Sequence, residues 1–210
     1  MKKYLLLCIV FILMTMLIGC QDEDTLSVTY DDDLTYASYF KEDNPLIKIS
    51  VKDHGDMYIE LFKDVAPITV DNFIAYIQDN AFESSTFHRV IDNFMIQGGI
   101  VSDTTCSIVG EFQSNGITNP LQHQPGVIAM ARTSNMNSAT SQFFINEVNN
   151  AYLNGQYAAF GGLVSGFDVL ASISDVSTNV NDLPLTPVVM TSIVIDLRGY
   201  EPSPRTCYES

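Results

Sequence analysis

Residues 87–99 of this 210-residue chain read FHRVIDNFMIQGG, and both fold and function follow most directly from this apolar stretch. It contains Arg89, one of only two Lys or Arg residues between positions 64 and 197, the other being Arg132. A cation among Phe, Val, Ile and Met is costly to desolvate unless its donors are used. Arginine keeps its proton and presents five N–H donors in one plane. We therefore expect Arg89 to take part in chemistry, with a structural ion pair to a nearby acid as the alternative.

The body of the chain, residues 45–198, is predicted to be a closed β-barrel capped by helices, because it combines many short strands with two helices. Residues 46–51 and 57–62 alternate apolar and polar around a turn that contains Gly55, which predicts a β-hairpin. Pro67 predicts the first turn of a helix, where its missing N–H costs nothing. Apolar residues at helical spacing predict the buried face of this helix: Val70, Phe73, Ile74 and Ile77. Further strands are predicted at 86–91, 94–98, 126–131, 142–146, 157–164 and 188–197, and a second helix at 166–174.

Three blocks of the sequence together resemble the cyclophilins, a family of peptidyl-prolyl cis/trans isomerases. The blocks read FHRVIDNFMIQGG at 87–99, GVIAMAR at 126–132 followed by NSATSQFFI at 137–145, and YLNG at 152–155 followed by YAAFG at 157–161. Three long blocks in the family's order are far more specific than one short motif. The resemblance spans residues 45–197. It implies a mainly β fold, a closed eight-stranded antiparallel β-barrel capped by two α-helices, with the active groove on its outer face.

The resemblance implies that the chain lowers the barrier to rotation about peptide bonds before proline. That barrier is about 18–20 kcal/mol because the nitrogen lone pair is delocalised into the carbonyl, while the two planar states before proline are nearly equal in energy. In the twisted state the lone pair returns to nitrogen, and a fixed guanidinium can stabilise that state by donating a hydrogen bond. By resemblance, Arg89 is this donor, while Gln97 holds it and contacts the substrate backbone. No metal, nucleophile or cofactor is expected.

The resemblance also assigns residues to a substrate groove. The slot for the proline ring is expected to contain Phe94, Met95, Phe144 and Leu153. The rest of the groove is expected to be lined by His88, Ala131, Arg132, Gln142 and Tyr157. Arg132 stands where many family members have Asn, so its substrate contact is expected through the backbone alone. Taken singly, the apolar residues would more often belong to a core, but their occurrence together with the three blocks favours a groove.

The N-terminus resembles the signal of a bacterial lipoprotein. Lys2 and Lys3 precede an apolar run of 15 residues, which is shorter than the roughly 20 that a membrane-spanning helix needs. The run leads into LIGC at 17–20, so Cys20 is expected to become the lipidated first residue of the mature chain. This predicts an extracytoplasmic protein of the cell envelope, lipid-anchored to a bacterial membrane. An ordinary signal peptide with an incidental cysteine and an uncleaved anchor are the alternatives.

The charge of the chain limits its partners. Removing residues 1–19 takes away two lysines and no acid, so the formal net charge changes from −15 to about −17. Nucleic acids and anionic lipid surfaces need basic patches, so neither is expected as a partner. The expected partners are proline-containing polypeptides and a membrane reached through the lipid, and the chain is expected to be a monomer. The alternative function is a chaperone or adaptor that binds proline segments with little catalysis.

Four segments are expected along the chain. They are a signal peptide at 1–19, a lipidated cysteine and acidic tether at 20–44, an isomerase domain at 45–198 and a C-terminal tail at 199–210. The tether contains three consecutive Asp residues but lacks the ligand spacing of a calcium loop, so a solvated linker is expected. Its apolar residues could still dock on the domain: Leu34, Tyr36, Tyr39 and Phe40.

Cysteine and histidine suggest no further chemistry. Cys106 and Cys207 lie about a hundred residues apart, and of the two alternatives, a disulfide or two separate thiols, separate thiols are expected. The three histidines are scattered at His54, His88 and His123, and no zinc-type spacing occurs. The sequence also lacks a nucleophile elbow, which argues against a serine hydrolase.

Overall fold

The computed structural model describes residues 26–102, 104 and 106–209. The predicted signal peptide and Cys20 lie outside the described residues. The strands are β1 (Leu46–Val51), β2 (Gly55–Leu61), β3 (Thr86–Phe87), β4 (Arg89–Ile91), β5 (Met95–Gly98), β6 (Val127–Met130), β7 (Phe143–Asn146), β8 (Ala159–Ser165) and β9 (Val188–Asp196). The α-helices are α1 (Pro67–Gln78) and α2 (Phe167–Ser174). Over the described ranges, no helix is long and apolar enough to cross a bilayer.

Antiparallel pairing joins the nine strands of the described residues into one nearly closed barrel, in the order β3-β9-β1-β2-β8-β6-β7-β5-β4. The strands at the two ends of this order, β3 and β4, are consecutive in the chain and are separated only by His88. Because β3 pairs with β9 and β4 pairs with β5, the chain itself joins the two edges of the sheet. The sequence predicts one strand at 86–91, and its break at His88 turns the expected eight strands into nine. The expected antiparallel barrel with two helices is confirmed.

Helix α1 begins at Pro67, as predicted, and buries the expected apolar face: Val70, Phe73, Ile74 and Ile77. The ring of Phe73 lies 5.1–5.3 Å from the rings of Phe82, Phe143 and Phe160. Aromatic pairs at such distances stabilise a core beyond the area they bury. Since Phe143 belongs to β7 and Phe160 to β8, this cluster fixes the strands that carry the candidate site.

The N-terminal segment, residues 26–44, lies against the barrel, which differs from the solvated linker that its acidic composition predicts. Tyr36 is fully buried, and its hydroxyl donates a 2.8 Å hydrogen bond to the carbonyl oxygen of Leu163. The ring fills a hollow that exists because Gly126 and Gly162 have no side chains, since a Cβ on either would collide with it. The consecutive Asp side chains of the segment stay exposed. Burial of the aromatic rings therefore outweighs repulsion among carboxylates that remain in water.

Glu60, on β2, binds the N-terminal segment to the barrel through hydrogen bonds. Alternation along β2 would place the side chain outward, yet Glu60 is fully buried. Its carboxylate accepts hydrogen bonds from the Tyr30 hydroxyl (2.5 Å), the Lys41 backbone N–H (2.8 Å), the Asn44 side-chain amide (2.8 Å) and the Arg198 guanidinium (3.3 Å). A buried carboxylate is tolerated when it is paired and hydrogen-bonded in this way. Burial, together with the hydrogen bond to Glu60, raises the pKa of the Tyr30 hydroxyl.

Cys106 and Cys207 form a disulfide, so the expectation of two separate thiols is wrong. Their Cα atoms lie 4.9 Å apart, although 101 residues separate them in the sequence. The C-terminal tail runs beside the loop that carries Cys106, where the Tyr208 N–H donates a 2.6 Å hydrogen bond to the Ser107 carbonyl oxygen. Packing of the tail brings the two cysteines together, and sequence spacing cannot reveal that packing.

Candidate active site

A surface cavity of about 150 Å³ lies beside strands β4, β5 and β7. The residues that line it are Arg89, Phe94, Met95, Gln97, Ala131, Arg132, Phe144, Leu153 and Tyr157. All of them belong to the set of site residues predicted from the sequence, and two members of that set, His88 and Gln142, are not in the lining. The barrel brings these separate segments together because β7 pairs with both β5 and β6, and β6 pairs with β8.

Arg89 and Gln97 are directly opposed residues of the β4–β5 ladder. Side chains at opposed positions of an antiparallel pair lie on the same face of the sheet. The Nε–H of Arg89 donates to Oδ2 of Asp182 at 3.3 Å, and Nε2 of Gln97 donates to Oε1 of Gln142 at 3.1 Å. The expected hydrogen bond between Gln97 and Arg89 is not among those of the described residues. Arg89 is instead held at its Nε by an acid, and 41% of its side chain stays exposed.

Apolar side chains form a slot beside Arg89. Met95, Phe144 and Leu153 are buried. Phe94 is half-buried, and the largely exposed ring of Tyr152 stacks on it at a centroid distance of 6.0 Å. A slot of this kind accepts an apolar ring, while the few polar groups at its edge fix orientation.

Phe94 is held in place by the turn between β4 and β5. Its N–H donates to the carbonyl oxygen of Ile91 at 3.1 Å, and Asn93 before it has the positive φ of 56° that a tight turn favours. The carbonyl oxygen of Phe94 accepts hydrogen bonds from the Asn150 side chain (2.9 Å) and the Glu147 N–H (3.0 Å). The polar groups of the turn are thus bound to the loop after β7, which leaves the ring free to form one side of the slot.

Arg132 builds a wall of the cavity. Its Nε and Nη2 donate to the carbonyl oxygen of Gln156 at 3.1 and 2.9 Å, and its Nη1 donates to the carbonyl oxygen of Thr133 at 2.9 Å. Its guanidinium carbon lies 4.7 Å from the ring centroid of Tyr157 and 5.1 Å from that of Phe112. These bonds use three of the five N–H donors of the guanidinium and hold Arg132 against the wall of the groove, which leaves one N–H on each Nη.

His88 and Gln142 support the site from outside the cavity lining. Gln142 accepts from Gln97 through its side chain, and its carbonyl oxygen accepts from the N–H of Ala131 at 2.9 Å. His88 lies at the break between β3 and β4. Burial, together with the positive charge of Arg89, lowers the pKa of His88. Its imidazole is therefore neutral near pH 7 and adds no charge beside Arg89.

Asp182 and His123 contact the site and are missing from the sequence prediction. Asp182, which pairs with Arg89, lies 93 residues away from it in the chain. His123 is fully buried, and its ring stacks on Phe144 at a centroid distance of 5.9 Å. Burial also lowers the pKa of His123. Neither residue has a local sequence signal, since one belongs to an ordinary polar loop and the other is one of three scattered histidines.

No cluster of three or more His, Cys, Asp or Glu side chains in the described part of the chain is placed to hold a metal ion. The groups that the cavity offers to a bound molecule include the guanidinium of Arg89, the amide of Gln97 and the apolar slot. These groups suit recognition of a peptide through hydrogen bonds and one apolar ring.

Comparison with known proteins places the chain in a family. The model described as "Cyclophilin type peptidyl-prolyl cis-trans isomerase/CLD" matches residues 46–195. A peptidyl-prolyl cis-trans isomerase of Acinetobacter baylyi is 41% identical over 155 residues, covering 67% of this chain and 80% of the relative. Peptidyl-prolyl cis-trans isomerase B of Escherichia coli is 38% identical over 156 residues, covering 68% and 95%.

A solved structure agrees with this assignment. The crystal structure of a Cryptosporidium parvum cyclophilin type peptidyl-prolyl cis-trans isomerase, in the presence of the dipeptide Ala-Pro, superposes with a TM-score of 0.66 at 27% identity. The match covers 72% of this chain and 98% of that structure. The chain therefore belongs to the family of cyclophilin-type peptidyl-prolyl cis-trans isomerases.

Proposed function

We propose that this isomerase assists the folding of exported polypeptides at the cell envelope, to whose membrane a lipid on Cys20 anchors it. The substrates are proline-containing segments, and the protein acts as a monomer. The observation that carries the catalytic part of the proposal is the position of Arg89 at the edge of an apolar slot, opposite Gln97 in the β4–β5 ladder. A guanidinium at the edge of a small apolar slot matches the needs of prolyl isomerisation.

Each part of the cavity has a task in this mechanism. The slot formed by Met95, Phe144 and Leu153 takes the proline ring and fixes the peptide beside Arg89. As the peptide bond twists, its nitrogen regains a lone pair, and the Arg89 guanidinium donates a hydrogen bond to it. Because the planar nitrogen accepts no such bond, the interaction stabilises the transition state selectively. Gln97 binds the substrate backbone, so that the twist occurs about one bond.

Two features support an extracytoplasmic location. The sequence LIGC at 17–20 ends a short apolar run with a charged start, the pattern of a lipoprotein signal. The disulfide between Cys106 and Cys207 suits an oxidising compartment, since thiols in the cytosol are usually kept reduced. The strongly acidic chain offers little attraction for an anionic membrane surface, so the lipid supplies the attachment.

The catalytic part is tested by Arg89→Ala in the full chain, purified in mild detergent. We expect isomerisation of a short Xaa-Pro peptide, measured without a coupled protease, to slow by about 100- to 1,000-fold, the cost of removing one transition-state hydrogen-bond donor. Arg205→Ala is the matched control, because Arg205 also pairs with an acid (Asp79, 3.5 Å) but packs on Tyr76, outside the cavity lining. Equal rates for the wild type and Arg89→Ala would refute the mechanism. Peptide binding without catalysis in the wild type would favour the adaptor.

The anchor is tested by Cys20→Ser in cells. We expect this variant to leave the membrane fraction, because the thiol is the site of acylation. Cys8→Ser is the matched control, since it removes a cysteine from the preceding apolar run without touching the predicted acylation site. Unchanged membrane retention of Cys20→Ser would show that lipidation of this residue is not the anchor.

A further inference from the structure

The loop between α2 and β9 is built to present one carboxylate. Its tip is closed around Asn179, whose Oδ1 accepts from the backbone N–H groups of Asn181 (2.8 Å) and Leu183 (3.2 Å). The N–H of Asn179 donates to the carbonyl oxygen of Leu183 at 2.9 Å, and the N–H of Asp182 donates to the carbonyl oxygen of Asn179 at 3.0 Å. Asp182 itself has a positive φ of 63°, a conformation that Asp and Asn tolerate better than most residues. The tip is therefore a hydrogen-bonded turn of defined shape.

This turn is fastened to the strand that carries Arg89. Strand β4 stands at the end of the strand order, so one of its edges lacks a neighbouring strand. The N–H of Val90, on β4, donates to the carbonyl oxygen of Asp182 at 2.9 Å. That bond places the Asp182 side chain next to Arg89, and Oδ2 accepts from Nε of Arg89 at 3.3 Å. Two bonds to adjacent residues of one strand thus fix both the loop and its carboxylate.

We infer that Asp182 is a positioning residue for catalysis, which holds the Arg89 guanidinium through Nε and leaves its Nη groups for the prolyl nitrogen. The inference rests on the proposed function of Arg89. Within the described residues, Asp182 is the hydrogen-bond partner of the Arg89 side chain, while the side chain of Gln97 donates to Gln142. A long flexible side chain held in one orientation before the substrate arrives loses less freedom in the transition state.

The solvent exposure of the Arg89–Asp182 pair indicates that its role is not structural. Its two side chains are 41% and 40% exposed. Ion pairs in such contact with water add little to folding stability, because solvent and salt screen them. The backbone hydrogen bonds of Asp182 hold its carboxylate firmly, although the ion pair contributes little to folding stability. Orientation of the Arg89 guanidinium explains this arrangement.

The test compares Asp182→Ala with Asp53→Ala in the full chain. Asp53 is the matched control because it is exposed, has a φ of 64° and lies in the turn between β1 and β2, so both variants place Ala in the same strained conformation. We expect Asp182→Ala to lower kcat/KM by about tenfold through kcat, since a misplacement of about 1 Å can cost up to about 100-fold. KM and the thermal midpoint should move no more than in Asp53→Ala. Asp182→Asn, which keeps an acceptor oxygen, should recover most of the rate.

A double-mutant cycle with Arg89→Ala separates the inference from the proposed function. If Asp182 acts through Arg89, Asp182→Ala has no further effect on the residual rate of Arg89→Ala. Equal kcat/KM for Asp182→Ala and Asp53→Ala would overturn the inference, and so would a loss that persists in the Arg89→Ala background. The proposed function would fail differently, through an Arg89→Ala variant as active as the wild type.

Discussion

Two arginine–carboxylate pairs of equal length have different surroundings in this molecule. The nitrogen–oxygen distance is 3.3 Å both in the Arg198–Glu60 pair and in the Arg89–Asp182 pair. The first pair is buried, with 14% of the arginine and 0% of the glutamate side chain exposed. The second is open to solvent at 41% and 40%. Removing one partner of a buried pair leaves the other charge buried without a partner or water. In an exposed pair, water solvates the charge that remains. Burial, more than distance, therefore indicates which pair maintains the fold and which is free to serve the groove.

Glu60→Ala should give the largest effect and tests the buried side of the comparison. We expect the free energy of unfolding to fall by about 3–5 kcal/mol, the cost of leaving the partners of a buried ion pair unpaired. Urea unfolding of the full chain measures this change, and Glu83→Ala, which removes an exposed glutamate, is the control. A loss under about 1 kcal/mol would remove the distinction between the two pairs. The kcat/KM of the folded fraction should stay near that of the wild type.

Tyr36→Phe should have an intermediate effect, because it removes one buried neutral hydrogen bond and no charge. The carbonyl oxygen of Leu163 loses its donor, which costs about 1–3 kcal/mol for a buried acceptor left unsatisfied. Tyr39→Phe is the matched control, since Tyr39 is only half-buried and its ring stacks on Phe62 at 5.5 Å. Equal midpoints of urea unfolding for the two variants would show that the Tyr36 hydroxyl contributes nothing to docking of the N-terminal segment.

His123 should make stability depend on mildly acidic pH. Burial lowers its pKa below the ordinary 6.5, so the folded protein favours the neutral ring. The contribution is fully present above pH 6.5 and is lost as the pH falls below it, because the unfolded chain takes up the proton first. We expect His123→Asn to flatten the stability profile in that range, measured by urea unfolding at a series of pH values. The pKa of half-buried His88 is also lowered, so stability should still depend on pH to some extent in the His123→Asn variant. An unchanged profile would contradict the assignment.

Asp64→Asn should have the smallest effect, because the Asp64 side chain is 58% exposed in its ion pairs with Lys41, which is 49% exposed, and with Lys63. We expect a stability loss of about 0–1 kcal/mol that disappears at high salt. The hydrogen bond from Lys41 lowers the pKa of Asp64, so this small contribution is present above the ordinary pKa of 3.8 and is lost at lower pH. A loss of stability as large as that of Glu60→Ala would show that solvent exposure does not govern how much an ion pair contributes to stability in this protein.

Most of the architecture is visible in local sequence patterns. The hairpin predicted at 46–51 and 57–62 corresponds to β1 and β2, and the helix predicted at 166–174 corresponds to α2. Such elements depend on periodicity within one segment, which survives folding unchanged. The strand predicted at 86–91 shows the limit of this reasoning, because its break at His88 arises from pairing with two different neighbours, β9 and β5.

The candidate site likewise contains residues that the sequence predicts and residues that only the folded structure reveals. The lining residues of the cavity lie within the three sequence blocks, so the resemblance names them in advance. Asp182 and His123 lie outside those blocks and reach Arg89 and Phe144 only through folding. The N-terminal segment is a comparable case, since composition favours solvent for its acids while a hollow above Gly162 decides where Tyr36 is placed.

By itself, the sequence determined the class of fold, the order of its elements and, through the family resemblance, the residues that line the cavity, because periodicity and motifs are properties of short segments. Only the tertiary structure decided the partners of the charged and cysteine side chains. It joins Glu60 to Arg198, Asp182 to Arg89 and Cys106 to Cys207. The physical reason is that the contribution of such a pair to stability depends on the distance between its partners and on their burial, and the packing of the barrel sets both.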